Sequence, residues 1–301
     1  MRPYGGLIGA NPTTASAGPN SAAGGIWTLR DAERLKRAGT WPLSSGDFVP
    51  TVLAGLQLWL DGSDSSTLYD ATSGGSLVAA DGAVARWEDK SGNARHATQG
   101  TSANRPARKT AIQASKDVLR FDGSNDFLTS TDFSDLSTGQ AITALTVCKR
   151  SATGSVHTII SKTDGEASDI TTEDGWGFRF LADNTLHLYA SKDASSTNNT
   201  SSSTVTASAF TLLAFQATAG SLTTTTKLYK NGTILSLLTT GSVQALDGTA
   251  YPVRIGMEPN TGVNYNHFNG DIAEVIIYDS ALSDVNRAAV ESYLVTKWGI
   301  S

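Results

Sequence analysis

Cysteine is nearly missing from this chain. Cys148 stands alone among 301 residues, so no intrachain disulfide can form and the fold must rest on packing and hydrogen bonds. Long apolar runs are missing too. No stretch approaches the roughly 20 residues that cross a bilayer as a helix. The opening MRPYGGLIGA lacks the continuous apolar centre of a secretory leader. The expectation is a soluble chain made in the cytoplasm, without export or membrane insertion. Charge is scarce at 17% Asp, Glu, Lys and Arg, and a net of −5 argues against nucleic acid as the partner. Glycine, by contrast, is plentiful at 29 residues, with many Ser and Thr and 39% hydrophobic residues, the mix of a turn-rich β protein.

Residues 1–50 read as an extended arm with one short helix, and residues 51–301 as a single all-β domain. Met1 to Gly25 is mostly Gly, Ala, Ser, Thr, Asn and Pro, with Tyr4, Leu7 and Ile8 as its large side chains. Such a segment buries too little apolar surface to order itself and needs another surface to lie on. GIWTLRDAERLKRAGTWP (25–42) then predicts a helix. Thr28 and Asp31 have capping-box spacing, Gly39 ends the helix and Pro42 forbids its continuation. A helix of about ten residues is marginal alone. Trp27 and Trp41 are therefore read as apolar anchors, and Arg30, Arg34 and Arg37, on one face, as a polar stripe towards a partner. The arm carries five Lys/Arg against three Asp/Glu, which leaves −7 on the body and favours docking on an acidic surface.

From Leu56 onward the pattern is strand and turn. LQLWL, VLRFDG, ITALTVCKR, HTIISK, WGFRFL, TLHLYAS, FTLLAFQAT, TKLYKNGTIL, PVRIGM and DIAEVIIYDS are read as strands. Asn231-Gly232 marks a hairpin, as does the Ala-Asp-Asn before TLHLYAS. The Ser/Thr/Asn tract from Ala194 to Ser208 has no apolar period before Val205 and is read as a long exposed loop. LSDVNRAAVESYLVTKWG predicts one amphipathic helix, capped by Ser283, ended by Gly299, with Val285, Ala289, Tyr293, Val290 and Leu294 inward.

Three passages together resemble the laminin-G-like, concanavalin A-like lectin/glucanase jelly rolls over roughly residues 52–300. They are LQLWLDGSDSSTL with ARWEDKSGNARHATQ and LRFDGSNDFL, the hairpin KLYKNGTIL, and HFNGDIAEVIIYDSALSDVNRAAVESYLVTKWG. The resemblance implies a two-sheet antiparallel jelly-roll sandwich, here with an N-terminal arm and a C-terminal helix. It also implies a structural calcium, with Asp122, the Gly123 carbonyl, Asp126 and Glu274 at the matching positions. Glu274 stands where Asp is commoner. Without metal, the same acids would cap turns through hydrogen bonds to backbone. Glycan binding is the usual non-enzymatic task of the family, and Asn260, Asn264, Tyr265, Asn266 and His267, clustered in EPNTGVNYNHF, are the candidates. A plain turn-rich connection explains the same composition.

Hydrolysis in this family uses Glu-x-Asp-x-Glu or a near variant, whose period of two puts the carboxylates on one sheet face. No such run occurs. The nearest, Glu166, Asp169, Glu173 and Asp174, does not alternate and reads as a solvated loop. His96, His157, His187 and His267 lie far apart in sequence without zinc-ligand spacing. The reading is non-enzymatic.

Residues 25–42 resemble a segment of tailed-bacteriophage structural proteins: Gly-Ile/Val-Trp-Thr/Ser-Leu, a basic helix, then Trp-Pro. This implies a virion protein of the capsid-decoration or fibre type, anchored by its arm to other virion proteins, present in several copies or as a homo-oligomer, with host-surface glycans as a further partner class. The alternative is a carbohydrate-binding module of a bacterial surface or secreted protein.

Overall fold

The computed structural model describes residues 7–8, 26–27, 48–133, 140–151, 153–163, 175–192, 195–205, 209–218, 222–242, 251–259 and 266–300. In chain order the strands are β1 (Leu7–Ile8), β2 (Ile26–Trp27), β3 (Leu56–Asp61), β4 (Leu68–Tyr69), β5 (Arg86–Trp87), β6 (Ala97–Thr98), β7 (Ala107–Gln113), β8 (Lys116–Asp122), β9 (Leu128–Ser130) and β10 (Ala141–Arg150). There follow β11 (His157–Thr163), β12 (Gly175–Phe180), β13 (Thr185–Lys192), β14 (Ser195–Thr204), β15 (Thr211–Thr218), β16 (Lys227–Lys230), β17 (Thr233–Ile234), β18 (Leu237–Gly241), β19 (Val253–Ile255) and β20 (Asn269–Tyr278). Helix α1 spans Leu222–Thr225 and α2 spans Asp284–Trp298. Among the described residues, no helix is long and apolar enough to cross a membrane.

Two antiparallel sheets form the expected sandwich. One runs β17-β16-β15-β10-β20-β8-β7, and β3 pairs with β20 beyond the end of β8. The other runs β18-β14-β13-β12-β11-β19-β9-β6-β5-β4. Strand alternation explains why they stack. Trp176, Phe178 and Phe180 of β12 point to one side and meet Phe215 of β15, with ring centroids 5.3 Å apart for Trp176 and 5.0 Å for Phe178. Leu58, Leu60, Phe121, Leu188, Val275 and Ile277 complete this inner core. Each such side chain contributes about 1.5–3 kcal/mol on full burial.

The other face of the first sheet is covered by α2. Ile276 and Tyr278 alternate with the inner residues of β20 and pack with Leu145, Leu212, Val290, Leu294 and Trp298. Ser283 Oγ accepts from Asn286 N at 3.2 Å, and Gly299 ends the helix at φ 59°, both as read from the sequence. The inward face is rotated from the expected one. Val285 is exposed, while Trp298, not among the predicted residues, is fully buried.

The tract 194–208 is a correction. It was expected as an exposed loop, yet Ser195–Thr204 is a strand between β13 and β18. Backbone pairing needs no apolar side chain, and Thr197, Asn199 and Ser201 alternate inward. Thr239 Oγ1 donates to Asn199 Oδ1 at 2.9 Å, and Ser201 Oγ accepts from Leu186 N at 2.9 Å, so the buried polar groups are satisfied.

The hairpin at Asn231-Gly232 forms with φ of 47° and 78°, the left-handed pair that a two-residue turn requires. In the N-terminal region, β1 and β2 pair, among the described residues, only with each other, Leu7 opposite Trp27 and Ile8 opposite Ile26, as a two-stranded sheet of their own. The helix expected after Trp27 lies outside the described residues. Phe48 and Pro50 already belong to the body: Phe48 packs on Tyr293 at 5.9 Å, and Tyr278 OH donates to Pro50 O at 2.9 Å.

Candidate functional site

At one end of the sandwich the chain leaves β8, turns through Gly123–Phe127 and enters β9. Asp122 Oδ1 accepts from Ser124 N at 2.7 Å and from Asn125 N at 3.2 Å. Asp126 Oδ2 reaches back to Asp122 N at 2.9 Å. Both acids therefore close a turn through backbone amides. Gly123 sits at φ 79°, and a Cβ there would lie 2.6 Å from Asn269, so the turn needs glycine.

Beside this turn lies the segment 266–268 that leads into β20. His267 Nδ1 is 3.4 Å from Asp126 O, and its ring stands 6.4 Å from that of Phe127. His157 Nδ1 donates to His267 O at 3.0 Å, and Thr158 N to Asn266 O at 3.1 Å, which ties this segment to β11. Burial depresses the pKa of both histidines, so they are neutral at pH 7. Phe127 N donates to Asn104 O at 3.1 Å and brings in the segment after β6.

These segments enclose a cavity of about 320 Å³ lined by Asn104, Ser124, Asn125, Phe127, Met257 and His267. That volume sits at the low end of the range for small-ligand pockets. The side chains of Asn104, Ser124 and Asn125 make no hydrogen bond to a described residue.

Two of the predicted groups thus converge. Asp122, Gly123 and Asp126 form the turn, and His267 lines the same cavity next to Asn266. Asn260, Asn264 and Tyr265 lie outside the described residues, as do Arg30, Arg34, Arg37 and Trp41; of Trp27 only the backbone is described. Glu274 does not join Asp122 and Asp126. Asp122 pairs with Asn269, and Glu274 is five residues further along β20, about 17 Å at strand rise. Its oxygens are held by Trp59, Tyr293, Lys297 and Trp298. Among the described residues, no three His, Cys, Asp or Glu side chains group as a metal site. Sequence reading missed Asn104, Phe127 and Met257, because two of them come from distant segments. Only Phe127 carried a local signal, as the aromatic closing FDGSNDF.

Burial pushes the Asp126 carboxyl up to about 6. A folded-state pKa above the unfolded value gives stability that is present below about pH 4 and lost as pH rises through about 6. Asp126→Asn is neutral throughout and its amide oxygen can still accept from Asp122 N. The variant is expected to melt above the parent at about pH 8, with that gain about halved near pH 5 and gone below about pH 4. Thermal melts at both values check this, and a variant no more stable at the higher pH would refute it.

A second polar constellation lies on the outer face of the other sheet. Arg179 Nη1 donates to both oxygens of Glu258, at 2.8 and 2.9 Å, and Thr158 Oγ1 donates to the same carboxylate at 2.9 Å. Arg179 Nε donates to His187 Nδ1 at 3.2 Å, so the His187 proton is on Nε2 and faces Asn198 Oδ1 at 3.1 Å. Burial, with Arg179 beside it, lowers His187 to about 3. The guanidinium lies over the Tyr189 ring at 4.4 Å. Gly177 leaves room for that ring, since a Cβ there would meet it at 2.3 Å. Glu258 is 1% exposed and Arg179 is 5% exposed, so this network is closed to solvent.

A profile of the concanavalin A-like lectin/glucanases superfamily matches residues 122–285, more than half of the chain. The chain belongs to that superfamily. Its matched part runs from the turn at the cavity to the start of α2. The sandwich is similar to Trypanosoma rangeli sialidase in complex with a difluoro-KDN, at 11% identity and a TM-score of 0.55, covering 95% of this chain and 36% of that one. It is also similar to the same enzyme as a covalent intermediate with difluorosialic acid, at 11% identity and a TM-score of 0.51, covering 81% and 33%. Domain 4 of an extracellular arabinanase from Geobacillus stearothermophilus, in complex with arabinotriose, matches at 17% identity and a TM-score of 0.49, covering 78% of this chain and 98% of that one. The chain spans about a third of the length of the sialidases it matches. No curated relative matches it.

Proposed function

We propose that the chain is a non-catalytic structural protein of a tailed-bacteriophage particle, attached through its N-terminal arm and displaying a lectin-like sandwich towards host-surface glycans. The observation that carries this is the division of the chain. Among the described residues, strands β1 and β2 pair with each other and join neither sheet of the sandwich. The described members of both core clusters all lie between Phe48 and Ile300. A body with its own core, preceded by two strands that pair with each other, suits attachment by the arm and display by the body. The phage-like sequence at 25–42 supplies the anchoring motif.

The state of the three most deeply buried acids among the described residues supports a non-catalytic body. Glycoside hydrolysis needs an opposed pair of carboxyls free to act on one bond. Here Glu258 is held by Arg179, Asp271 by Arg120 at 2.6 Å, and Glu274 by Lys297 at 2.7 Å. The second reading, a carbohydrate-binding module of a surface or secreted protein, draws on the likeness to part of much longer sialidases.

Purified particles decide between them. The full chain is expected on the particle by mass spectrometry and electron microscopy, and a chain of residues 48–301 is expected to fold yet stay off it. Normal incorporation of the shortened chain would sink the anchoring role, and absence of the full chain from particles would favour the second reading.

A further inference from the structure

The end cavity has a definite chemical character. Phe127, half-buried, and Met257, buried, give its lining an apolar part. Asn104, Ser124 and Asn125 add amides and a hydroxyl that make no hydrogen bond to a described residue, and Asn125 Oδ1 is a buried acceptor with no partner among them. Amide groups offer a donor and an acceptor together. A pyranose ring has the matching form, with an apolar face of C–H bonds and a rim of hydroxyls that both donate and accept.

Charge narrows the class. Among the described residues, no Lys or Arg lines the cavity. Arg105, next to Asn104, spends its guanidinium on the carbonyls of Gln99, Gly100 and Asp70, at 3.0, 3.0 and 3.2 Å. The carboxylates of Asp122 and Asp126 stand immediately behind the turn. An anionic ligand would lose hydration and meet like charge without a counter-ion. Metal assistance is also unsupported by the donors, because Asp122 and Asp126 give oxygens to backbone amides and Glu274 lies in another part of the sheet.

We propose that this cavity is a metal-independent pocket for one ring of an uncharged saccharide and that it discriminates against sugar carboxylates. The assignment rests on the glycan-display reading above and sharpens it to one site and one ligand class. Phe127 packs on the ring, Asn104 and Asn125 bind its hydroxyls, and His267, neutral, closes the inner end.

The test is saturation-transfer NMR on the full chain with galactose, glucose, N-acetylglucosamine and N-acetylneuraminic acid, each with EDTA and with calcium. At least one neutral sugar is expected to give transfer in EDTA, unchanged by calcium, while N-acetylneuraminic acid gives none. Phe127→Ala and Asn104→Ala, each with a melting curve like the parent's, are expected to weaken that binding about tenfold or more. Both positions are partly exposed, so a fold defect in one still leaves the other as a test. Equal binding of N-acetylneuraminic acid, or loss of binding in EDTA, overturns the proposal. A sugar bound equally well by both variants overturns the pocket assignment and leaves the display reading standing. No transfer from any of the four overturns both the pocket and the glycan part of that reading.

Discussion

Glu274→Ala is expected to destabilise the fold by about 3–5 kcal/mol, the range seen when one partner of a buried ion pair is removed. In a domain of this size that lowers the melting temperature by on the order of 10 °C. The carboxylate has no solvent exposure. It accepts from Trp59 Nε1 at 2.8 Å, Trp298 Nε1 at 2.7 Å, Tyr293 OH at 2.9 Å and Lys297 Nζ at 2.7 Å. Burial, with the Glu274 charge beside it, pushes the Tyr293 phenol far up, so it stays a hydroxyl and a donor. Without the carboxylate, two indole N–H groups are stranded in an apolar layer, each at the cost of an unmade hydrogen bond. Lys297 keeps Asp61, at 2.6 Å, and the Tyr293 hydroxyl, at 3.1 Å. Glu274→Gln keeps the shape but turns an N–H towards donors, so it is expected to fall between the parent and the alanine variant. Thermal and urea melts measure the series, and an alanine variant as stable as the parent would remove Glu274 as the fastening point of α2.

The pair on the other sheet gives an effect of similar size and a sharper test. Arg179→Met leaves Glu258 charged and almost fully buried, which is expected to cost about 3–5 kcal/mol. Glu258→Leu does the same to Arg179. The double variant, with both charges replaced by apolar side chains, is expected to be more stable than either single variant. The coupling arises because the two residues share one desolvated contact and each single change strands the other. Additive losses in urea unfolding would show that the two act independently. Arg179→Met also removes the donor to His187 Nδ1. The His187 pKa should then rise above about 3, by the part that Arg179 contributes, while burial, the larger cause, still holds it below its ordinary value; NMR titration reads the change.

Some of this architecture is written locally in the sequence and some is not. Helix α2 was legible because Ser283, the spaced apolar residues and Gly299 all sit within one short span. The Asn231-Gly232 turn was legible for the same reason. Strand β14 was invisible because its partners in β13 and β18 are supplied by backbone, and Thr and Asn side chains carry no apolar period. Glu274 was noticed as an acid on the last strand, and the resemblance assigned it to calcium. Its donors, Trp59 and Trp298, could be found only once the chain had folded. The candidate site shows the same split. FDGSND announced a turn rich in oxygen atoms, and its acids cap that turn. Asn104 and Met257, which make the turn into one wall of a cavity, have no motif of their own. The arm at 25–42 remains a reading from sequence, since Arg30, Arg34, Arg37 and Trp41 lie outside the described residues.

The Glu274 cluster also sets an order of events during synthesis. Strand β3 pairs, among the described residues, only with β20, and Trp59 meets Glu274 across 215 positions. Emerging from the ribosome early, LQLWL has no strand to join until nearly the whole body has been made. Its other edge finds partners sooner, in Asp89 and Lys90, which bond Trp59 N and Trp59 O, while the edge that faces β20 stays available for wrong partners throughout that interval. In the finished sheet β20 lies between β10 on one side and β8 and β3 on the other, with Lys297 and Trp298 of α2 on the carboxylate. Such distant pairing predisposes the chain to slow maturation.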